Sequence, residues 1–334
     1  MASFRTRISS FAITFATLLA ASPLAAQMTE EPLHRVEVTR DIVYAEGRIR
    51  VDGQEAVRDL WMDAYLPKGA GEDPLPVVIY THGGAFHHGS PRTGYRVDGA
   101  LSTSPEHYCR LFAELGYACF AINYRLGPEE PIASGIGYDE QRVERDTIAL
   151  MMDRVSIIRQ NLGMRPLDVS DPKDELLLSD TVLSATEDLW RAIDFVRSNA
   201  IDFGVDPDRI VLGGFSAGAV TSLNVAHGTD AGVVGAFMLS TAPIGLNIFE
   251  TVREGSSAPP ALIFTGQYDL SGALASIKGL LQHYHDVGLD YEFAWVPGFG
   301  HFYPSGAPSL GADGSIQSVE DRIVAFVDRA TGHR

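Results

Sequence analysis

Gly214-Phe215-Ser216-Ala217-Gly218 is a Gly-x-Ser-x-Gly pentapeptide, and the residues on either side of it indicate how the chain folds there. The apolar run Arg209–Gly213 before it is typical of a strand, and the small residues Ala219–Leu223 after it favour a helix. A sharp turn from strand to helix at a serine would hold the hydroxyl out of the backbone under strain. The two glycines suit this turn because side chains there would collide with the neighbouring strand and helix. The stretch therefore predicts an α/β fold with an exposed serine at the end of a strand.

Short apolar runs alternate with helical patterns along most of the chain. The segment Val36–Tyr65 alternates more and carries a turn at Asp52-Gly53, which predicts antiparallel strands at a sheet edge. A helix is predicted over Glu187–Ser198, with Ser184 and Glu187 as a capping box at its start. Fully apolar strands separated by helices imply a mostly parallel sheet that is covered on both faces. The buried strands are predicted over Val77–Tyr80, Ala118–Ile122, Ile210–Leu212, Val234–Leu239, Ala261–Phe264 and Phe293–Val296.

A segment from about 127 to 183 interrupts this alternation. Ser134–Gly137 is predicted as a loop, and Tyr138–Leu162 as one long helix that stops at Gly163. Arg165–Asp180 is polar and contains proline. We expect this helical insertion to lie over the C-terminal edge of the sheet, where ligands bind in open α/β sheets. Its apolar stripe either packs against the body of the protein or lines a substrate pocket.

Residues 1–26 have the pattern of a secretory signal peptide. Arg5 and Arg7 precede an apolar stretch from Ile8 to Ala21, and small residues follow up to Ala26. Cleavage near Ala26 would leave residues 27–334 as a single exported domain, periplasmic or secreted, and an uncleaved anchor is the alternative. The sequence has no second long apolar stretch, so no membrane span is predicted in the mature chain.

Composition and cysteine content limit the possible partners. The 334 residues are 45% hydrophobic and 21% charged, as in an ordinary globular protein. The formal net charge of −17 and the lack of a Lys/Arg cluster argue against a nucleic-acid partner. Export would permit a disulfide between Cys109 and Cys119, although two buried thiols between a helix and its sheet are equally consistent with the sequence. Two cysteines are too few for a zinc site of their own, and no metal is predicted.

Candidate partners for Ser216 occur further along the chain. A serine hydroxyl becomes a good nucleophile when a histidine takes its proton, and the histidine needs a carboxylate to hold its tautomer. Asp269 and His301 each follow a predicted strand, so all three side chains can lie at the same end of the sheet. Asp286 and Asp290 are rivals to Asp269, but they come before the last strand rather than after one.

The segment Thr81–Phe86 follows another predicted strand and contains consecutive small residues. Such residues leave backbone N–H groups exposed in a cavity, where they can bind a negatively charged oxygen. Gly83, Gly84 and Ala85, together with the N–H of Ala217 next to the serine, are therefore the candidates for an oxyanion hole.

Four motifs together carry a family resemblance. They are His82-Gly83-Gly84-Ala85-Phe86, Asn123-Tyr124-Arg125-Leu126, Gly204-Val205-Asp206-Pro207-Asp208-Arg209 and the serine pentapeptide. In combination they resemble the carboxylesterase and hormone-sensitive-lipase-like branch of the α/β-hydrolases, from roughly Leu60 to the C-terminus except for the insertion. The chain departs from those relatives at Ala85, where they usually have a third glycine.

The resemblance implies an α/β-hydrolase fold: a mostly parallel eight-stranded sheet with helices on both faces and a helical insertion over the active-site edge. It implies a serine carboxylesterase that acts on a small-molecule ester through an acyl-enzyme, with no cofactor, and the N-terminal pattern predicts that the enzyme is exported. Ser216 would be the nucleophile, His301 the general base and Asp269 the residue that orients it. Lipase, acetyl or feruloyl esterase, lactonase and peptidase activities stay open as alternatives, as does a non-catalytic binding protein on the same fold.

Overall fold

The computed structural model alternates strands and helices along the chain, and it describes residues 33–71, 73–97, 99–168 and 170–333. The predicted signal peptide, residues 1–26, lies outside the described residues. Two short 3-10 helices cover Gly127–Glu129 and Glu140–Arg142. The α-helices are α1 (Pro105–Glu114), α2 (Arg145–Ala149), α3 (Met152–Asn161), α4 (Pro172–Ser198), α5 (Ala200–Phe203), α6 (Ala217–Gly228), α7 (Ile248–Thr251), α8 (Ser271–Val287) and α9 (Val319–Thr331). The strands are β1 (Arg35–Val51), β2 (Gln54–Lys68), β3 (Leu75–Thr81), β4 (Arg96–Val97), β5 (Ala100–Leu101), β6 (Ala118–Ile122), β7 (Val143–Glu144), β8 (Val205–Phe215), β9 (Gly235–Leu239), β10 (Gly245–Leu246), β11 (Ala261–Tyr268), β12 (Tyr291–Gly300), β13 (Pro308–Gly311) and β14 (Ile316–Ser318).

The main sheet has ten strands among the described residues, in the order β1-β2-β6-β3-β8-β9-β11-β12-β13-β14. The strands from β6 to β12 in this order pair in parallel. The strands β1 and β2 at one edge, and β13 and β14 at the other, pair antiparallel. The mostly parallel sheet and its antiparallel edge at β1–β2 are confirmed. The predicted number of eight strands is too low, because the short strands β13 and β14 extend the far edge.

Helices cover both faces of this sheet, as predicted. Along β3, Val77 and Ile79 pack into a core that includes side chains of α4, α6 and α8. Val78 and Tyr80 pack into the opposite core, with side chains of α1 and α9. Successive side chains of a strand point to opposite faces, so a strand that is apolar at every position needs a helical layer on each side.

The two cysteines form a disulfide. Cys109 on α1 is bonded to Cys119 on β6, so the alternative of two free buried thiols is excluded. The bond joins one of the covering helices directly to the sheet. Within the described ranges, no helix is both long and apolar enough to cross a membrane.

The insertion is helical, but its predicted elements were wrong in two places. The region Tyr138–Leu162 is not one helix: it contains a 3-10 turn, the strand β7 and the separate helices α2 and α3. The residues of β7 are extended because they pair with β10, which lies about a hundred residues further along the chain. The helix predicted over Glu187–Ser198 begins at Pro172 instead, where the side chain of Asp171 accepts a hydrogen bond from the N–H of Lys173.

The predicted capping box at Ser184 does not form because Ser184 and Glu187 lie inside α4, far from its N-terminus, and Glu187 has other partners. Glu187 is fully buried, pairs with Arg125 at 2.9 Å, and accepts the N–H groups of Ser134 and Gly135 at 2.5 and 2.6 Å. Asp188 completes the group, with an oxygen 2.7 Å from Arg125. Buried charges are tolerated only when they are paired in this way. The cluster therefore attaches the start of the insertion to α4.

Candidate active site

Ser216 lies at the turn between β8 and α6, with φ 53° and ψ −118°. A non-glycine residue adopts this left-handed region only under strain. The turn is also tightly packed: a Cβ atom at Gly218 would lie 2.0 Å from the carbonyl oxygen of Thr81 on β3. A Cβ atom at Gly214 would lie 2.3 Å from the carbonyl oxygen of Gly218. Both glycines are therefore required by close packing against the neighbouring strand and helix.

The structure brings Ser216, His301 and Asp269 together. Nε2 of His301 lies 2.8 Å from Oγ of Ser216, and Nδ1 lies 2.6 Å from Oδ1 of Asp269. The three residues follow β8, β12 and β11, so each lies at the C-terminal end of a parallel strand. The rival Asp286 lies near the end of α8, and Asp290 lies just before the start of β12. Both therefore lie at the opposite end of β12 from His301.

Asp269 is buried and held in a fixed orientation. Its Oδ2 accepts hydrogen bonds from Oγ of Ser240 at 2.6 Å and from the N–H of Gly266 at 3.2 Å. Its Oδ1 also accepts the N–H of Leu270 at 2.7 Å. Burial alone would raise the pKa of Asp269, but the hydrogen bond and charge of His301 and the other donors hold it below its ordinary value. The group is therefore a carboxylate at neutral pH, ready to stabilise an imidazolium.

Ser240 and Tyr303 belong to this site, and sequence reasoning missed them. The Ser240 hydroxyl lies 3.1 Å from the hydroxyl of Tyr303, and both side chains are buried. Ser240 directly follows β9, so its position after a strand at the same sheet edge was an available signal. Tyr303 lies two residues beyond His301 and had no comparable signal.

The turn that follows β3, residues Gly83–His88, is called here the oxyanion turn. The carbonyl groups of Gly83–Phe86 all accept hydrogen bonds from the protein itself. The donors are the His82 ring for Gly83 at 2.8 Å, the His87 N–H for Gly84 at 3.0 Å, the His87 ring for Ala85 at 3.0 Å and the Gly127 N–H for Phe86 at 2.8 Å. Among the described residues, the N–H groups of Gly83–Phe86 have no such acceptor, and of these four residues Gly84 and Ala85 line the cavity that contains Ser216. The turn therefore presents two donors with unused hydrogen-bonding capacity to this cavity.

Three of the four predicted oxyanion residues line the same cavity as Ser216. Gly84, Ala85 and Ala217 share with it a cavity of about 820 Å³. Ala217 is the first residue of α6, where an N–H lacks an intrahelical acceptor and the helix terminus favours negative charge. Gly83 does not line this cavity. It packs against the serine turn instead, because a Cβ atom there would lie 3.2 Å from Cβ of Ser216.

The helical insertion forms part of the cavity wall. The cavity is lined by Arg154 and Ile158 of α3 and by Met151, the residue before this helix. Val155 of the same helix is instead fully buried in an apolar core. Both roles considered for the apolar stripe therefore occur, on different residues of the same helix.

Comparisons with known proteins agree with this fold. A family model described as alpha/beta hydrolase fold matches residues 179–256, and one described as BD-FAE matches residues 62–137. Esterase 2 of Thermogutta terrifontis phosphorylated by paraoxon has a TM-score of 0.51 and 19% identity, covering 90% of this chain and 94% of that chain. The same esterase bound to propionate has a TM-score of 0.52 and 18% identity, covering 89% and 93%.

The matches to curated relatives cover only part of each protein. Gut esterase 1 of Caenorhabditis elegans is 24% identical over 202 residues, which are 58% of this chain and 27% of that protein. Fumonisin B1 esterase of Sphingopyxis macrogoltabida is 26% identical over 160 residues, which are 48% of this chain and 21% of that protein. The chain thus spans about a quarter of the length of the curated relatives it matches.

The structure and these matches show the α/β-hydrolase fold. The predicted resemblance to the carboxylesterase and hormone-sensitive-lipase-like branch of proteins with this fold is confirmed.

Proposed function

We propose that the protein is a serine carboxylesterase that hydrolyses small-molecule esters through an acyl-enzyme intermediate. The observation that carries the proposal is the continuous hydrogen-bond chain from Oγ of Ser216 through His301 to Asp269. The unused N–H groups of the oxyanion turn beside Ser216 support it, because a developing oxyanion needs donors that are already in place. The names of the relatives, two of which are esterases, agree with ester bonds as the target.

The geometry permits a two-stage reaction. His301 takes the proton of Ser216 through Nε2 while Oγ forms a bond to the ester carbonyl carbon, and the carbonyl electron pair moves onto oxygen. The N–H groups of Gly84, Ala85 and Ala217 bind that oxyanion. The intermediate then collapses and expels the alcohol, which receives the proton from His301. Water, deprotonated by the same imidazole, releases the acid in the second stage.

The cavity wall formed by α3 is proposed to select the acyl chain. Ile158 lines the cavity, whereas its neighbour Ile157 is 50% exposed and does not. On p-nitrophenyl esters from acetate to octanoate, Ile158→Trp should lower kcat/KM for octanoate by roughly 10-fold relative to acetate, because the indole fills the space of the longer chain. Ile157→Trp is the matched control and should keep the wild-type preference. Equal profiles for both variants would contradict the role of α3, and a wild-type protein inactive on the whole panel would contradict the proposed function.

We also propose that the protein is exported with residues 1–26 as a signal peptide. The Cys109–Cys119 disulfide supports this because disulfides persist in oxidising compartments. The intact mass of protein recovered from outside the cytoplasm should lack Met1–Ala26. A mass that retains Met1 would instead favour the uncleaved anchor.

A further inference from the structure

His87 connects the oxyanion turn to the helical insertion. Its ring is buried, with Nδ1 3.0 Å from the carbonyl oxygen of Ala85 and Nε2 3.4 Å from Nη1 of Arg159 on α3. Arg159 is buried as well, and its Nε donates to the carbonyl of Arg165 at 2.9 Å. His87 therefore lies between two fixed groups, one in the turn and one in the insertion.

These contacts determine the protonation state of the ring. A guanidinium group can only donate, so Nε2 of His87 must accept from Arg159, and Nδ1 must carry the proton that is donated to Ala85. Burial, together with the charge of Arg159, lowers the pKa of His87 to about 4. The ring is therefore neutral at neutral pH, as this pair of bonds requires.

His87 donates its hydrogen bond to a part of the oxyanion turn whose backbone is strained. Ala85 and Phe86 have φ values of 50° and 60°, the left-handed region that non-glycine residues seldom adopt. Such conformations are unfavourable for residues with a side chain and persist only when the surroundings hold them. The Ala85 carbonyl belongs to the peptide group between these two residues. A donor on that carbonyl therefore restrains both of the strained residues.

We propose that His87, held by Arg159 of α3, is a positioning residue that fixes the N–H of Ala85 in the oxyanion hole. The inference rests on the proposed function. His87 does not line the cavity, so it acts through Ala85 rather than by contact with substrate. Since Arg154 and Ile158 of α3 do line the cavity, the same link connects the substrate wall to the oxyanion turn.

Two substitutions test the hydrogen bonds of the two ring nitrogens separately. His87→Asn keeps a side-chain N–H at the place of Nδ1, whereas His87→Gln puts its amide at the place of Nε2 and loses the donor to Ala85. In the Gln variant we expect kcat to fall about 10- to 100-fold with little change in KM, because the oxyanion forms only during reaction. The affinity for a trifluoromethyl ketone, whose adduct with serine carries an oxyanion, should fall by the same factor. The Asn variant keeps the donor to Ala85 but not the contact with Arg159, so its losses in both measurements should be smaller than those of the Gln variant.

Amide hydrogen exchange over residues 83–88 gives a readout that does not depend on ester turnover. Exchange should be faster in the Gln variant than in the Asn variant or the wild type, even if no ester is hydrolysed. A wild type without turnover would thus overturn the proposed function and leave this measurement intact.

If the Gln variant does not fold by circular dichroism, Arg159→Gln tests the other end of the link, with losses in the same direction. Wild-type kcat, analogue affinity and exchange in the Gln variant, or equal losses in both His87 variants, would overturn the inference.

Discussion

Ser216→Ala should lower kcat for p-nitrophenyl ester hydrolysis by about 10⁶-fold, with the protein still folded. The substitution removes the oxygen that would attack the carbonyl, and neither His301 nor Asp269, the proposed base and orienting carboxylate, can replace it. Among the described residues, the ring of His301 is the only hydrogen-bond partner of the Ser216 hydroxyl. The free energy of unfolding should therefore change little.

Ser222→Ala is the matched control for this substitution. Ser222 lies on α6 two turns beyond the serine turn, and its hydroxyl donates to the carbonyl of Gly213 at 3.1 Å. It is buried but remote from the imidazole, so its loss should affect stability modestly and leave kcat near the wild-type value. Turnover by Ser216→Ala at a rate close to that of Ser222→Ala would contradict a nucleophilic role for Ser216.

Asp269→Asn should lower kcat by about 10⁴-fold. The amide can donate to Nδ1 of His301, which would place the ring proton on Nε2 and prevent that nitrogen from accepting the proton of Ser216. The amide oxygen can still accept the hydroxyl of Ser240 and the N–H of Gly266, whereas the N–H of Leu270 loses its acceptor, so the protein should fold with a modest loss of stability.

The rival aspartate provides the control. Asp286 bonds Gln282 on the surface of α8 at 2.8 Å, so Asp286→Asn should leave kcat unchanged. The pair of variants is compared by steady-state kinetics on one ester and by thermal unfolding. A larger loss in Asp286→Asn than in Asp269→Asn would reverse the assignment of the orienting carboxylate.

Much of this site could be predicted from sequence because its residues follow strands. Ser216, Asp269 and His301 each follow an apolar run within a few residues, and the parallel arrangement brings the ends of such strands to one edge. The antiparallel strands on either side of Asp52-Gly53 could also be predicted from the sequence, since alternating apolar and polar residues and a turn are local signals.

The remaining features depend on contacts between distant parts of the chain. Glu187 resembles a capping residue, but its carboxylate is used by Arg125 and Ser134, more than fifty residues away. The strand β7 is extended because of its pairing with β10 rather than its own propensity. The contact between His87 and Arg159 spans 72 residues, so nothing in the turn sequence indicated it.

The central claim is that Ser216 is an activated nucleophile beside a working oxyanion hole. Treatment of the wild-type protein with a fluorophosphonate, followed by peptide mass spectrometry, tests it most directly because the reagent reacts far faster with an activated serine than with an ordinary hydroxyl. The account predicts one phosphonyl group on the peptide that contains Ser216, with labelling abolished by Ser216→Ala and strongly slowed by Asp269→Asn. A protein that stays unlabelled, or one labelled at another residue, would contradict it.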